Sequence, residues 1–184
     1  MVFTRVCALP LAALTLTTSA LAAPARQPVA RPKSPCSGAG LGVTPAVRLR
    51  APLAVARTHG AILAAARDCD YDRLERLGRE GRPGFTFTFG TERSAAAFWR
   101  REEAAGHRFL GRLIRILRLD FGRDGQTYIW PAVFARSATA EDWNALLPIF
   151  GRRQIVTWRD HEGYTGLRVG IAADGDWLYA IEGD

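Results

Sequence analysis

Hydrophobic and polar positions change period several times along this chain, and each change marks an element. Residues 52–67 open on Pro52 and carry Leu53, Ala56, Ile62, Leu63 and Ala66 at helical spacing, which predicts a helix ending at Arg67. Asp70 suits the N-cap of a short second helix that carries Leu74 and Leu77 and stops at Gly78 or Gly81. The period then drops to two. In FTFTF, residues 85–89, Phe85, Phe87 and Phe89 face one way and Thr86 and Thr88 the other, as in a strand. Thr91 or Ser94 caps a long helix in which Phe98, Ala105, Phe109, Leu113, Ile116 and Leu117 form one stripe, with a bend at Gly106.

The C-terminal part reads as sheet interrupted by one helix. QTYIWPAVF, residues 126–134, is β-prone, but Pro131 has no N–H for a ladder, so this strand is an edge or stops there. Thr139 and Asp142 form a capping-box pattern ahead of Trp143, Leu146, Leu147 and Phe150, a short amphipathic helix that Gly151 ends. QIVTW, residues 154–158, is expected to begin the final sheet. A closing hairpin with the three-residue loop Ala173-Asp174-Gly175, Gly175 being left-handed in a G1 bulge, places Leu167, Val169, Ile171, Trp177, Tyr179 and Ile181 on one face. A two-residue loop would split those six between faces, so the pattern selects the longer one. Asp174, Asp176, Glu182 and Asp184 are then turn, outer-face and chain-end charges, fewer spaced oxygens than a calcium loop needs.

These elements predict one α+β domain over residues 52–184, with helices packed on one face of a curved, mostly antiparallel sheet. What precedes it has a different character. Residues 1–22 carry Arg5, an apolar run and a small-x-small site at Ala20-Leu21-Ala22, the pattern of a cleaved signal peptide, so export to the periplasm or the medium is expected, with Ala23 the first mature residue. Residues 23–51, rich in Pro, Gly, Ala and Arg and without periodicity, read as a linker. In an oxidising compartment the two cysteines left after cleavage, Cys36 and Cys69, are expected to pair as a disulfide.

Charge changes the picture less than its total suggests. The net charge is +7 and the pI about 10.1, but Arg26, Arg31, Lys33, Arg48, Arg50, Arg57 and Arg67 all fall between residues 23 and 67, where no acid occurs. From Asp68 onward 17 Arg face 18 acids, a balance of −1. No folded basic face is implied, so no specific nucleic-acid partner is expected. The basic tail fits weak contact with an anionic envelope surface, or a solvated linker.

Candidate chemistry is sparse. Ser94 and Ser137 lie outside any Gly-x-Ser-x-Gly elbow, and there is no phosphate loop, His-Glu-x-x-His helix or Cys-x-x-Cys pair. No cofactor or metal is called for. His59 and His107 fit structural roles in helices, whereas WRDHEGYTG, residues 158–166, brings Asp160, His161 and Tyr164 into one segment and supplies the best catalytic candidates, His161 as general base with Asp160 or Tyr164 assisting. Trp130, Trp158 and Tyr128 are candidates for lining a pocket.

The order helix, short helix, strand, long helix and then mostly strands resembles the NTF2-like (SnoaL-like) α+β fold, with AAARDCDYDRLERLGREGRPGFTFTFG, residues 64–90, similar to the start of such domains. The extra helix over 139–150 departs from that pattern. The resemblance implies a cone of curved sheet and helices around an apolar pocket, used for ligand binding, small-molecule catalysis or protein association, and carries over no catalytic residue. The expectation is a non-enzymatic exported domain that binds a small ligand or an envelope protein through the concave face of its sheet, with an NTF2-like enzyme based on His161 as the alternative.

Overall fold

A computed structural model describes residues 36–42, 50–81, 84–135 and 138–183. The leader, its cleavage site and the basic tail up to residue 35 lie outside these residues. Four strands form one open antiparallel sheet in the order β1 (Gly122–Asp124), β2 (Thr127–Trp130), β3 (Arg168–Ala172), β4 (Trp177–Ile181). Six helices are described with it: α1 (Leu53–Arg67), α2 (Tyr71–Arg79), α3 (Ala95–Ala104), α4 (Phe109–Leu117), α5 (Ala140–Ala145) and α6 (Leu147–Thr157), giving an α+β architecture.

Local chemistry sets most element ends. The Asp70 side chain accepts from the Arg73 N–H at the start of α2, and the Ser94 hydroxyl accepts from the Ala97 N–H at the start of α3. Thr139 and Asp142 make the reciprocal capping box of α5. In α1 the buried stripe is Val55, His59, Ile62 and Ala66, whereas Leu53 is 66% exposed. Trp177 from β4 stacks on Trp99 of α3 at 6.0 Å, and Trp99 in turn stacks on Phe109 of α4 at 5.2 Å. The inner face of the sheet is therefore filled by packing against the helices.

Several expected elements take other forms. The long helix is two helices, α3 and α4, broken at Ala105–Arg108, where Gly106 (φ 87°) and Arg108 (φ 49°) are both left-handed. α6 is interrupted at Gly151 (φ 78°), where a helix end is expected, and QIVTW continues helically beyond that break into a π-helical turn, Trp158–Glu162, instead of forming a strand. Ile155 and Trp158 are buried and Val156 exposed, a spacing of three that outweighs the β-propensity of Ile, Val and Thr. β2 stops at Pro131, as the missing N–H requires, and continues as the turn Ala132–Phe134.

The hairpin has the expected three-residue loop: the Ala172 N–H donates to Asp176, the Gly175 N–H donates to Ala172, and Gly175 has φ 100°. A further irregularity follows, because Ile171 pairs with Trp177 but Gly170 pairs with Tyr179. That extra residue moves Tyr179 and Ile181 to the face of Arg168 and Gly170, so the six apolar residues do not share one face. Gly170 makes room for it: a Cβ there would lie 2.3 Å from the Tyr179 ring.

Cys36 and Cys69 form a disulfide with a Cα–Cα distance of 5.8 Å. It fastens a strap that sequence composition assigns to the linker. The Ser37 N–H and hydroxyl both donate to the Glu103 carboxylate, at 2.8 and 2.6 Å, and the Gly111 N–H donates to the Ser37 hydroxyl at 2.7 Å. Glu103 also accepts from the Leu110 N–H at 2.7 Å, which satisfies a free donor at the start of α4. Gly38 passes so close to α1 that a Cβ would sit 2.4 Å from the Ala66 carbonyl.

Candidate functional site

The segment that carries FTFTF borders a concavity of the described residues. Gly84–Phe89 has the alternation of a strand, but only Thr86 joins the sheet, through a parallel bridge to Tyr179. The Thr86 N–H donates to Leu178 and the Ala180 N–H donates to Thr86. Thr86 consequently points away from the core, while Phe85 and Phe87 turn toward Trp99 and lie half-buried. Between this segment, the end of α2 and the start of α3 lies a groove of about 410 Å³. Its size falls within the range of roughly 300–1,000 Å³ usual for small-molecule sites.

The floor of the groove is aromatic and its rim basic. The Phe85 and Phe87 rings are 6.2 Å apart and 26° from parallel. Gly78, Gly81 and Gly84 line the wall; Gly78 is buried against the Phe85 ring, which a Cβ there would meet at 2.6 Å, whereas nothing lies within 4 Å of a Cβ on Gly84. Arg79 and Arg93 line the rim together with Glu75. Arg79 donates through Nε and Nη2 to Glu75, at 2.9 and 2.6 Å, and from Nη2 to the Arg93 carbonyl at 2.6 Å. Glu75 also accepts from the Ser94 hydroxyl at 2.7 Å and the Ala96 N–H at 3.0 Å. Burial pushes its carboxyl pKa up, but the bonds from Ser94, Ala96 and Arg79 prevail and hold it below the ordinary value.

A second groove of about 280 Å³ is polar, bounded by Arg57, Thr58 and Glu80 and by the hairpin loop around Gly175, and it shares Gly81 with the first. On the outer face of the sheet, Phe134, 42% exposed, and Phe89, 58% exposed, flank the Arg168 guanidinium at 5.0 and 5.8 Å.

The residues singled out by sequence lie elsewhere. His161 and Asp160 are exposed in the π-helical turn, and Asp160 accepts from Arg159 Nε at 3.0 Å. Tyr164 is buried, with its hydroxyl donating to the Leu167 carbonyl at 2.8 Å. Burial, with Glu182 adding to it, pushes the Tyr164 phenol far above its ordinary range, against the opposing pull of Arg112 and Arg168. Among the described residues no hydrogen bond joins the three, and neither groove above is lined by any of them.

Trp130, Trp158 and Tyr128 are buried core residues. Trp130 packs on His59 and Phe121, Tyr128 on Phe121 beneath Arg123, and Trp158 edge-on to Phe150 and Tyr164. His59 is the buried, hydrogen-bonded histidine expected in α1, whereas His107 is exposed and bonds Glu102 at 2.5 Å. Among the described residues no group of three or more His, Cys, Asp or Glu is placed to hold a metal ion, and no helix is long and apolar enough to cross a membrane.

Phe85 and Phe87 belonged to an expected strand, and neither Arg79 nor Arg93 stood out. The available signal was the run GREGRPGFTF, where repeated glycines lead into an aromatic alternation and mark backbone without side-chain cover. No family model, no curated protein and no solved structure matches the chain.

Proposed function

We propose that this chain is a non-enzymatic α+β domain that acts outside the cytoplasm and binds a small ligand in the groove over Phe85 and Phe87. The observation that carries this reading is the make-up of that groove: an aromatic floor, guanidinium groups at the rim, and a carboxylate already committed to internal hydrogen bonds. Catalysis by a general base needs a group free to take a proton, and Glu75 is not free. The reading keeps the pocket-binding role that the resemblance to NTF2-like domains implies. It places the site at the open edge of the sheet, since the inner face is occupied by Trp130, Val169, Ile171 and Trp177.

The exported location rests on the signal-peptide pattern and is compatible with the Cys36–Cys69 disulfide. Recovery of the chain from the periplasm or medium, starting at Ala23 and two hydrogens lighter than its reduced form, is the expected outcome of intact-mass analysis. A cytoplasmic, uncleaved chain would overturn that part. The binding role is tested by native mass spectrometry with tryptophan emission, because Phe85 lies 4.7 Å from Trp177 and 6.2 Å from Trp99. A bound mass that leaves on denaturation, and whose removal shifts the emission, supports the groove. A bound mass whose release leaves the emission unchanged places the ligand elsewhere.

A further inference from the structure

We infer that the ligand of this groove is an organic anion with a flat apolar body, held by Arg93; the inference rests on the binding role proposed above. Among the described residues that line the groove, two guanidinium groups, Arg79 and Arg93, face one carboxylate, Glu75. Arg79 is tied to that carboxylate and to the Arg93 carbonyl through Nε and Nη2. Arg93 has no carboxylate partner for its side chain among the described residues, so one positive charge beside the groove is unneutralised from within. Arg93 is exposed and keeps its water beside a neutral occupant, which gains nothing from it, whereas a carboxylate, sulfonate or phosphate gains a charge-assisted hydrogen bond.

The anion does not belong at the start of α3. There the Ala96 N–H already donates to Glu75 and the Ala97 N–H to the Ser94 hydroxyl, so the donors that make a helix start attractive to anions are taken. Arg93 stands just ahead of that cap and is exposed, free to swing over whatever lies on the floor. The floor itself selects shape. Phe85 and Phe87 present two rings 26° from parallel, Gly78 already backs the Phe85 ring, and nothing lies within 4 Å of where a Cβ on Gly84 would sit, so a flat occupant finds aromatic surface on the Phe87 side and room beside Gly84.

Two dyes sharing one ring system separate the contributions. 1-Anilinonaphthalene-8-sulfonate carries the anion, and N-phenyl-1-naphthylamine is its neutral counterpart. Each is titrated into the purified chain with its disulfide formed, near-UV circular dichroism serving as the check on folding. The expected result is one sulfonate dye per chain, with affinity falling about tenfold in Arg93→Gln while the neutral dye is unaffected by that change, and both dyes weakened in Phe87→Leu. If Arg93→Gln leaves the sulfonate dye unchanged, or the neutral dye binds as tightly as the anion to the unaltered chain, the anion inference falls and the groove remains an apolar binding site. If neither dye binds one-to-one, or Phe87→Leu affects neither, the binding role falls and the inference with it. Gly78→Ala gives a second variant that disturbs the floor, since its methyl group displaces the Phe85 ring, and it is expected to weaken both dyes alike.

Discussion

Mild acid should destabilise this fold through His59. The imidazole is 4% exposed, its Nε2 lies 2.7 Å from the Leu117 carbonyl, and its ring is 5.2 Å from that of Trp130. A carbonyl only accepts, so Nε2 carries the proton and donates. Burial lowers the pKa below the ordinary 6.5, and the bond to Leu117, which favours the charged form, offsets only part of that. A depressed folded-state value fixes the sign. The unfolded chain takes up a proton near pH 6.5 and the folded chain does not, so stability is complete above that pH and is lost as pH falls toward the folded value.

One proton taken up by the unfolded state alone gives a limiting slope of about 1.4 kcal/mol per pH unit, large beside the roughly 5–15 kcal/mol that hold a domain together. The comparison is His59→Gln, which keeps an N–H for Leu117 and cannot titrate. It should cost about 1–2 kcal/mol near neutrality through a poorer bond and poorer packing. Urea unfolding followed by tryptophan emission, at constant ionic strength from about pH 8 to about pH 5, should show the two stabilities converging as the pH drops. Glu75 does not blur the result, because the stability from its lowered pKa is lost only below the ordinary carboxyl value of 4.5, and Glu182, whose carboxyl burial raises, is common to both chains and cancels in their difference. Curves that stay parallel through this window would refute a neutral, buried imidazole.

Two further perturbations test the packing that positions the groove and the strap. Replacing Cys36 and Cys69 with serine opens a loop with a sequence separation of 33 and should cost roughly 3.5–4 kcal/mol in urea unfolding. It should also speed hydrogen exchange at the Leu110 and Gly111 N–H groups that the strap region holds; unchanged exchange would mean that Ser37 and Glu103 hold the strap without the disulfide. Gly170→Ala should cost about 1–3 kcal/mol by driving a methyl group into the Tyr179 ring, and Tyr179→Ser in the same chain should recover much of that loss. Strictly additive costs in the double variant would show that the ring does not occupy the space above Gly170.

What the sequence made legible is what short-range chemistry decides. Asp70, Ser94 and the Thr139–Asp142 box cap helices because a side-chain oxygen a few residues away can reach a free N–H whatever the rest of the chain does. The three-residue hairpin loop was readable for a similar reason, since Gly175 must be left-handed there. Tertiary choices were not readable. Leu178 becomes an extra residue because Gly170, on the neighbouring strand, lets Tyr179 lie across it, and no alternation within residues 177–181 announces that. QIVTW joins a helix because Ile155 and Trp158 find the core at a spacing of three. The aromatics chosen as pocket-lining residues, Trp130, Trp158 and Tyr128, were core because a sheet covered by helices buries its inner aromatics first.

The groove was hidden for the same reason: it depends on how far one segment joins the sheet. FTFTF has the composition of a full edge strand, yet Thr86 is its only paired residue, and the chain then passes to the start of α3. A fully zipped strand would have laid Phe85, Phe87 and Phe89 in a row against one face. Partial pairing instead leaves Phe85 and Phe87 over Trp99 and Phe89 exposed beside Arg168. Glu75 then fixes the character of the opening that results. By accepting from Ser94, Ala96 and Arg79 it ties α2 to the cap of α3, and those bonds outweigh burial and hold its carboxyl below the ordinary value. Among the described residues that line the groove, the carboxylate is thereby committed to structure, and what remains exposed to an occupant under the proposed reading is an aromatic surface and the guanidinium of Arg93.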